Sequence, residues 1–302
     1  MAMQAAAIEA RKTPVDDNGW GFAEGAEIAP GRFVLKLLGG GRRYEAYLAH
    51  DEALLTTVVV KILRPHRVED TASLEGLAAE YDALGKLNHP VIARGFDSVL
   101  EGGRPHIVIE FLEGPRLSSL IRRHGPLPME QLVPLAVQLS SALHYMHGRD
   151  LVHLDVKPRN IIMGAPPRLI DLSIARSVED AEALTVAVGT DAYMAPEQCD
   201  PLGPHRVGTP ADVWGLGASL YEAATGGPPF PADDPSEYPQ LTEEPAPMSD
   251  RIASQVTDLV LSCLRRDPAA RPTPKELSEA LDPLVAALPR RFVLNRLRPR
   301  LR

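Results

Sequence analysis

The sequence predicts an α+β protein of two lobes, in which a small antiparallel β lobe with one long helix precedes a larger, mainly helical lobe. Short strand-like runs bounded by glycine or polar residues fill the chain up to residue 111. Apolar residues at helical spacing dominate the chain from residue 112 onward. A length of 302 residues suits two lobes, each able to bury its own apolar core.

The small lobe is predicted over residues 31–111. Its strand-like runs alternate with turn residues, and they are Arg32–Leu38, Tyr44–His50, Thr56–Leu63, Gly95–Leu100 and His106–Phe111. A helix is predicted over Thr71–Leu87, where Leu74, Leu77 and Leu84 recur at the spacing of one helix face. We therefore expect an antiparallel sheet with a single long helix inserted between its strands.

The helical lobe is predicted over residues 112–288. Its longest helix is expected at Met129–His147, where Pro134 should bend the first turns or delay the start. Thr209 and Pro210 are typical of an N-cap and a first helical position, and the helix that follows them is apolar on nearly every side. The last two helices are predicted at Arg251–Leu264 and Pro274–Leu288.

Both ends of the chain are predicted to lie outside the two lobes. Residues 1–30 lack a sustained period and mix Gly, Asp, Glu and Pro, which predicts a flexible arm. The tail, 289–302, is rich in arginine and has no acidic residue. We interpret it as a solvated end, and contact with an acidic partner or an anionic membrane is the alternative that clustered arginine favours.

The composition excludes several classes of protein. Lys and Arg number 32 against 40 Asp and Glu, and the resulting net charge of −8 argues against nucleic acid as a partner. The two cysteines, Cys199 and Cys263, are too few for a disulfide framework or a thiolate zinc site, and Cys199 is expected to be inert. No apolar run approaches the ~18 residues of a membrane span. We therefore expect a cytoplasmic protein; the composition does not predict an oligomeric state.

Candidate residues for phosphoryl transfer occur in a consistent order along the chain. Transfer from ATP needs a backbone cradle for the phosphates, a cation, oxygen ligands for magnesium and a carboxylate that receives the hydroxyl proton. The turn Gly39-Gly40-Gly41 separates two strand-like runs, and glycine lets a backbone approach phosphate closely. Lys61 ends a valine-rich strand, and Glu80 lies among apolar residues of the predicted helix as its natural partner.

Further motifs follow in the helical lobe. They are His153-Leu154-Asp155-Val156-Lys157-Pro158-Arg159-Asn160, Asp171-Leu172-Ser173, Gly189-Thr190 with Tyr193 and Ala195-Pro196-Glu197, Asp212-Val213-Trp214, and Arg271. Together with the glycine turn, Lys61 and Glu80, they resemble the eukaryotic-type (Hanks-type) serine/threonine protein kinases, in particular the bacterial branch, over about residues 31–285. Each motif alone is a weak signal, but their joint order is specific.

The resemblance implies a two-lobed protein-kinase-like fold that transfers the ATP γ-phosphoryl group to Ser or Thr hydroxyls of protein substrates. It implies ATP and Mg²⁺ as cofactors, with Mn²⁺ as a substitute metal. Asp155 would accept the hydroxyl proton, and Lys157 would stabilise the γ-phosphate. Asn160 and Asp171 would bind magnesium.

The resemblance also implies the remaining binding and structural roles. Lys61 would contact the α- and β-phosphates, and Glu80 would hold Lys61. The other nucleotide-binding residues would cover the phosphates or surround adenine, and they are Gly39, Gly40, Gly41, Ala46, Val59, Ile109, Glu110, Leu112 and Ile162. Glu197 would pair with Arg271, and Asp212 would hold the backbone of the catalytic loop.

The chain departs from the family pattern at a few positions. Tyr44 replaces the third glycine of the phosphate loop. We expect the loss of glycine to stiffen the loop, the ring to fold over the nucleotide or slow its entry, and ATP affinity to be reduced. Leu154 replaces the arginine that binds a phosphorylated activation loop in many kinases, so we expect activity that does not depend on phosphorylation of Thr185 or Thr190. Ser173 replaces a glycine and should restrict conformational switching.

Other functions compatible with these residues stay open at this point. The departures at Tyr44, Leu154 and Ser173 favour a weakly active or inactive pseudokinase that binds nucleotide as a scaffold. A small-molecule kinase is a second alternative, opposed by the segment from Gly189 to Glu197, which serves extended peptides in the resembling family. His144, His147 and His153 suggest zinc, but no fourth ligand has suitable spacing, and packing is the preferred interpretation.

Overall fold

The structure is a computed structural model that describes residues 19–232, 234, 237–250 and 252–288. This part of the chain divides into two compact units. The sheet unit contains residues 19–77 and Phe96–Phe111, and the helical unit contains Ala78–Gly95 and the residues from Leu112 onward. A unit built on an antiparallel sheet and a mainly helical unit agree with the predicted α+β class.

The sheet unit is organised around one antiparallel sheet. Its strands in chain order are β1 (Glu27–Ala29), β2 (Arg32–Gly40), β3 (Tyr44–Asp51), β4 (Thr56–Leu63), β5 (Gly95–Val99) and β6 (His106–Glu110). In space they follow the order β1-β2-β3-β4-β6-β5, so β6 pairs with β4. Helix α1, Thr71–Lys86, begins in the sheet unit and ends in the helical unit.

The two faces of β4 differ in burial, as an alternating strand requires. Val58, Val60 and Ile62 are fully buried on one face. Val59 and Lys61 are half-buried on the other face. The fully buried face packs with other apolar residues of the sheet unit, which are Ile28, Val34, Tyr47, Ala49 and Val108. The core of the unit therefore lies on one side of the sheet and leaves the other side partly open.

The predicted flexible arm over residues 1–30 is wrong for residues 19–30, and residues 1–18 lie outside the described part of the chain. Trp20 and Phe22 pack against the buried face of the sheet, and β1 adds a strand to its edge. The Trp20 indole donates to the Leu63 carbonyl at 2.7 Å, and its backbone N–H donates to Glu45 Oε2 at 3.0 Å. These contacts join residues that are far apart in sequence, so the local pattern of apolar residues could not predict them.

The other α-helices of the described residues lie in the helical unit. They are α2 (Leu117–His124), α3 (Met129–His147), α4 (Val178–Glu182), α5 (Pro196–Cys199), α6 (Thr209–Thr225), α7 (Ser254–Cys263) and α8 (Pro274–Ala287). A two-stranded sheet joins β7 (Ile161–Ile162) to β8 (Arg168–Leu169). Helix α6 is buried on nearly every side, as its apolar composition predicts, and it runs through the middle of this unit.

Several boundaries differ from the sequence prediction. Residues 78–95 group with the helical unit, because Ala93 N–H donates to the Leu169 carbonyl and Leu169 N–H donates to the Val91 carbonyl. Helix α3 begins at Met129 with no delay at Pro134, and Gly208, rather than Thr209, precedes α6 as its N-cap. The tail, 289–302, lies outside the described residues.

Candidate active site

The glycine turn of the sheet unit joins β2 to β3. Gly41 N–H donates to the Tyr44 carbonyl at 2.9 Å and closes the turn. A Cβ atom on Gly40 would lie 2.8 Å from the Tyr44 carbonyl oxygen, so this position has no room for a side chain. All three glycines are exposed, and the turn presents bare backbone to its surroundings, as a phosphate cradle requires.

The residues predicted to surround adenine in the sheet unit share one face of the sheet. Ala46 pairs with Lys61 across β3 and β4, and Val59 pairs with Ile109 across β4 and β6. Directly paired residues point to the same side of a sheet, and alternate residues along a strand do so as well. Ala46, Val59, Lys61 and Ile109 are all half-buried on the face opposite the core. Glu110, at the end of β6, is the exception: it is half-buried too, but it pairs with Val58 on the other face.

The Tyr44 ring contacts the Lys61 side chain. The Lys61 ammonium lies 4.9 Å from the centre of the Tyr44 ring, which is the range of a cation–π interaction. The Tyr44 hydroxyl donates to the Ser73 carbonyl of α1 at 3.3 Å. Glu80 lies on α1 and is 1% exposed. Lys61 and Glu80 belong to different units, and their pairing stays a prediction.

The catalytic loop is fixed to helix α6 by Asp212. This buried carboxylate accepts hydrogen bonds from the backbone N–H groups of His153 and Leu154, at 2.8 and 2.7 Å. It also bonds His147 Nε2 at 2.9 Å. Leu154 has a φ of 63°, a conformation that a leucine rarely adopts unless its neighbours hold it. The predicted role of Asp212 in holding the loop backbone is confirmed.

Asp155 accepts hydrogen bonds at both carboxylate oxygens. Thr190 Oγ1 donates to Oδ1 at 2.7 Å, and Lys157 Nζ donates to Oδ2 at 2.6 Å. Lys157 also contacts Thr190 Oγ1 at 2.5 Å, which closes a triangle of carboxylate, ammonium and hydroxyl. Asn160 Nδ2 lies 3.0 Å from the Asp155 carbonyl and 3.0 Å from Oδ2. The carboxylate is therefore fixed in orientation by three side chains.

The short β7–β8 sheet positions the two predicted magnesium ligands. Asn160 immediately precedes β7, Asp171 follows β8 by one residue, and Ile170 N–H donates to the Asn160 carbonyl at 2.9 Å. Because Asn160 Nδ2 makes these contacts, Oδ1 is the side-chain atom able to accept a hydrogen bond or coordinate a metal ion. An amide oxygen and a carboxylate suit magnesium, which usually takes its other ligands from water and phosphate. The residues present therefore fit a magnesium ion.

The other predicted residues of the helical unit have varied surroundings. Ile162, assigned to the floor of the adenine site, is 8% exposed on β7, and Leu112 is half-buried. Leu172 is buried, which agrees with an apolar role next to Asp171. Asp171 has a φ of 68°, so the backbone at this acid is held in the left-handed region.

The predicted pairing of Glu197 with Arg271 is present and buried. The guanidinium binds both carboxylate oxygens, at 2.6 and 2.8 Å. Its remaining donors bond carbonyl oxygens, including that of Pro210 at 2.9 Å, and it stacks over the Trp214 ring. A buried ion pair is tolerated when every donor has a partner, as here.

The Tyr193–Glu222 contact was not predicted from the sequence, whereas the inert character of Cys199 was. The Tyr193 hydroxyl donates to Glu222 Oε2 at 2.5 Å, a contact that the sequence did not predict, and burial raises the pKa of both side chains. Tyr193 belongs to the motif that contains Gly189 and Thr190, and this membership was the only sequence signal that it has a structural role. Burial also raises the pKa of the Cys199 thiol to about 12, in agreement with an inert cysteine.

The histidines considered for zinc have other contacts. His147 bonds Asp212, and His153 Nδ1 accepts from Asp155 N–H at 3.2 Å. Within the described ranges, no group of three or more His, Cys, Asp or Glu side chains is placed to hold a metal ion. None of the helices in the described ranges combines the length and the apolar character that crossing a bilayer requires.

Comparisons with known proteins identify the same family that the sequence motifs resemble. The protein kinase domain family matches residues 33–281. The chain is 33% identical over 249 residues to the serine/threonine-protein kinase PknB of Mycobacterium leprae, covering 78% of this chain and 40% of that protein. It is 34% identical over 254 residues to the probable serine/threonine-protein kinase PkwA of Thermomonospora curvata, covering 83% and 33%.

A third relative is the serine/threonine-protein kinase AfsK of Streptomyces coelicolor, at 32% identity over 253 residues, with 83% of this chain and 31% of that protein covered. The matched part is thus less than half the length of these bacterial relatives. The match covers both the sheet unit and the helical unit, including each motif recognised above. The chain belongs to the protein kinase domain family.

Proposed function

We propose that the chain transfers the γ-phosphoryl group of ATP to Ser or Thr hydroxyls of protein substrates. The acceptor oxygen forms a bond to the γ-phosphorus as the bond from that phosphorus to the ADP oxygen breaks. The hydroxyl proton passes to Asp155, and Lys157 offsets the charge that develops on the phosphoryl oxygens. The glycine turn and Lys61 are assigned to the ATP phosphates, and Glu80 to Lys61.

The observation that carries this proposal is the contact between Thr190 and Asp155. It places an alcohol oxygen 2.7 Å from a carboxylate oxygen, beside the Lys157 ammonium. That is the distance at which a general base can receive a proton from a substrate hydroxyl. A bound magnesium ion would supply charge neutralisation of the phosphates, and Asn160 and Asp171 are the residues that would hold it.

Transfer of radiolabelled phosphate to a generic basic protein tests the proposal. We expect label on Ser and Thr of the acceptor, and a loss of about 10²- to 10⁴-fold in kcat for Asp155→Asn, since the amide cannot receive the proton. Equal labelling by the two proteins would contradict it. Nucleotide binding without transfer by either protein would instead support the scaffold alternative that Tyr44, Leu154 and Ser173 suggest.

We also propose that activity is independent of phosphorylation in the activation segment. Leu154 is 3% exposed and apolar, so it offers no charge to a phosphate on Thr185. Thr190 Oγ1 already contacts both Asp155 and Lys157. Phosphatase-treated protein and Thr185→Ala should keep the wild-type rate within about twofold, a difference under ~0.5 kcal/mol. A large rise in rate on phosphorylation of Thr185 would contradict this.

A further inference from the structure

Two buried glutamines contact the segment from Val188 to Ala195. Gln198 and Gln240 are each 2% exposed. Gln198 lies on α5, and Gln240 lies in a short 3-10 turn at Pro239–Leu241. The sequence motifs assigned no role to either residue.

Gln198 joins the catalytic loop to both ends of this segment. Its Nε2 donates to the Leu154 carbonyl at 2.9 Å and to the Val188 carbonyl at 2.9 Å. Its Oε1 accepts from Ala195 N–H at 3.1 Å. Both amide hydrogens and the amide oxygen are therefore used, and every partner is a backbone atom. Leu154 is the residue before the proton acceptor, so this amide contacts the loop that carries Asp155.

The chain is shaped locally to admit the Gln198 amide. Gly189 has a φ of +142°, and a Cβ atom there would lie 2.7 Å from Met194 Cγ and 3.1 Å from Gln198 Nε2. A side chain at position 189 would thus displace both neighbours. The glycine of the Gly-Thr motif therefore leaves room for the Gln198 amide.

Gln240 holds the middle of the same segment from another direction. Its Nε2 lies 2.8 Å from the Asp191 carbonyl, 3.1 Å from the Met194 carbonyl and 3.1 Å from Cys199 Sγ. Three acceptors surround this nitrogen, which fixes the orientation of the amide. The partners again include two backbone carbonyls of the segment.

We propose that Gln198 and Gln240 are positioning residues that hold the peptide-binding segment, 188–195, in its working arrangement without a phosphate. The glutamine amides are neutral and bond backbone carbonyls, so this support of segment 188–195 does not need an arginine at position 154. This inference rests on the proposed protein-kinase function, because the overlapping residues Gly189–Glu197 serve extended peptides in the resembling family. It predicts that the glutamines affect peptide binding more than ATP binding.

The test is the steady-state kinetics of Gln198→Met and Gln240→Met with a Ser-containing peptide and ATP. Met keeps the length of the side chain and removes the amide. We expect KM for the peptide to rise about tenfold for Gln198→Met and about threefold for Gln240→Met, as expected from the loss of buried hydrogen bonds. KM for ATP should stay within about twofold of wild type.

Gln138→Met is the matched control. Gln138 is a half-buried glutamine of α3 whose Oε1 has no hydrogen-bond partner in the structure, so loss of its amide should leave the peptide KM unchanged. An unchanged peptide KM in both test variants, or an equal rise of both KM values, would overturn the proposal. If Gln198→Met fails to fold, Gln240→Met decides by the same criteria.

The proposed function and this inference fail in different ways. Absence of phosphate transfer by the wild-type protein would contradict the kinase activity itself. Normal transfer by the wild type together with wild-type peptide KM in the glutamine variants would contradict only the positioning role.

Discussion

The glycine turn of the sheet unit and the catalytic loop of the helical unit are held in opposite ways. Gly39, Gly40 and Gly41 are exposed and are held by backbone hydrogen bonds and by the Arg64 Nε contact with the Gly41 carbonyl at 2.7 Å. The catalytic loop is held by side chains, with Asp212 on its backbone and Lys157, Asn160 and Thr190 on Asp155.

This difference matches the chemistry assigned to each region. A proton acceptor works best when its orientation is fixed before the substrate arrives, because no reorganisation is then needed during the reaction. A phosphate cradle uses backbone N–H groups, and it must admit and release a nucleotide in every cycle. Buried side-chain contacts suit the first task, and an exposed glycine turn suits the second.

The largest effect is expected from Asp212→Ala, which tests the side-chain support of the catalytic loop. The change leaves the N–H groups of His153 and Leu154 buried without a partner, at roughly 1–3 kcal/mol each. We expect a loss of about 2–5 kcal/mol in the free energy of unfolding, measured by urea denaturation. Asp282→Ala, at an exposed aspartate of α8, should change stability by less than about 0.5 kcal/mol. Equal losses in the two variants would contradict this account of the loop.

A smaller effect is expected from Gly40→Ala in the glycine turn. The added Cβ would lie 2.8 Å from the Tyr44 carbonyl oxygen, so the backbone of the turn must move. We expect KM for ATP to rise about tenfold, a difference of ~1.4 kcal/mol in binding, with kcat nearly unchanged. Gly41→Ala is the matched variant, because a Cβ there has no neighbour within 4 Å. A rise of the same size in both variants would show that glycine is not required for close packing at position 40.

The smallest effect is expected at Tyr44. Tyr44→Ala removes the ring from the Lys61 ammonium, an interaction of roughly 0.5–1 kcal/mol, so KM for ATP should rise about two- to fivefold. Tyr44→Phe retains the ring and loses the hydroxyl contact with the Ser73 carbonyl. Initial rates at varied ATP concentration give the KM for ATP of both variants. Tighter ATP binding in Tyr44→Ala would instead support the expectation that this ring obstructs the nucleotide.

Some of the contacts predicted from the motifs join residues that are close in sequence. Asp155, Lys157 and Asn160 lie within one loop, and their contacts with one another require only that loop to form. The Glu197–Arg271 pair spans a long separation, and its prediction came from the resemblance to the kinase family.

Several contacts that the sequence did not predict have backbone atoms as partners. Gln198 and Gln240 bond carbonyl oxygens, which are present at every residue and leave no pattern in the side chains. The same reason applies to Trp20, whose indole bonds the Leu63 carbonyl. Helix α2, Leu117–His124, was missed because it is short, and the period of so few residues is a weak signal.

The position of Trp20 affects how a minimal fragment of this protein should be defined. The family match begins at residue 33, after the aromatic pair Trp20 and Phe22 and after strand β1. A fragment cut there would uncover part of the buried apolar face of the sheet and deprive Glu45 of the Trp20 N–H. Uncovered sheet surface and a new strand edge promote aggregation. Expression trials that start at or before Gly19 should therefore give more soluble protein than trials that start at the motif boundary.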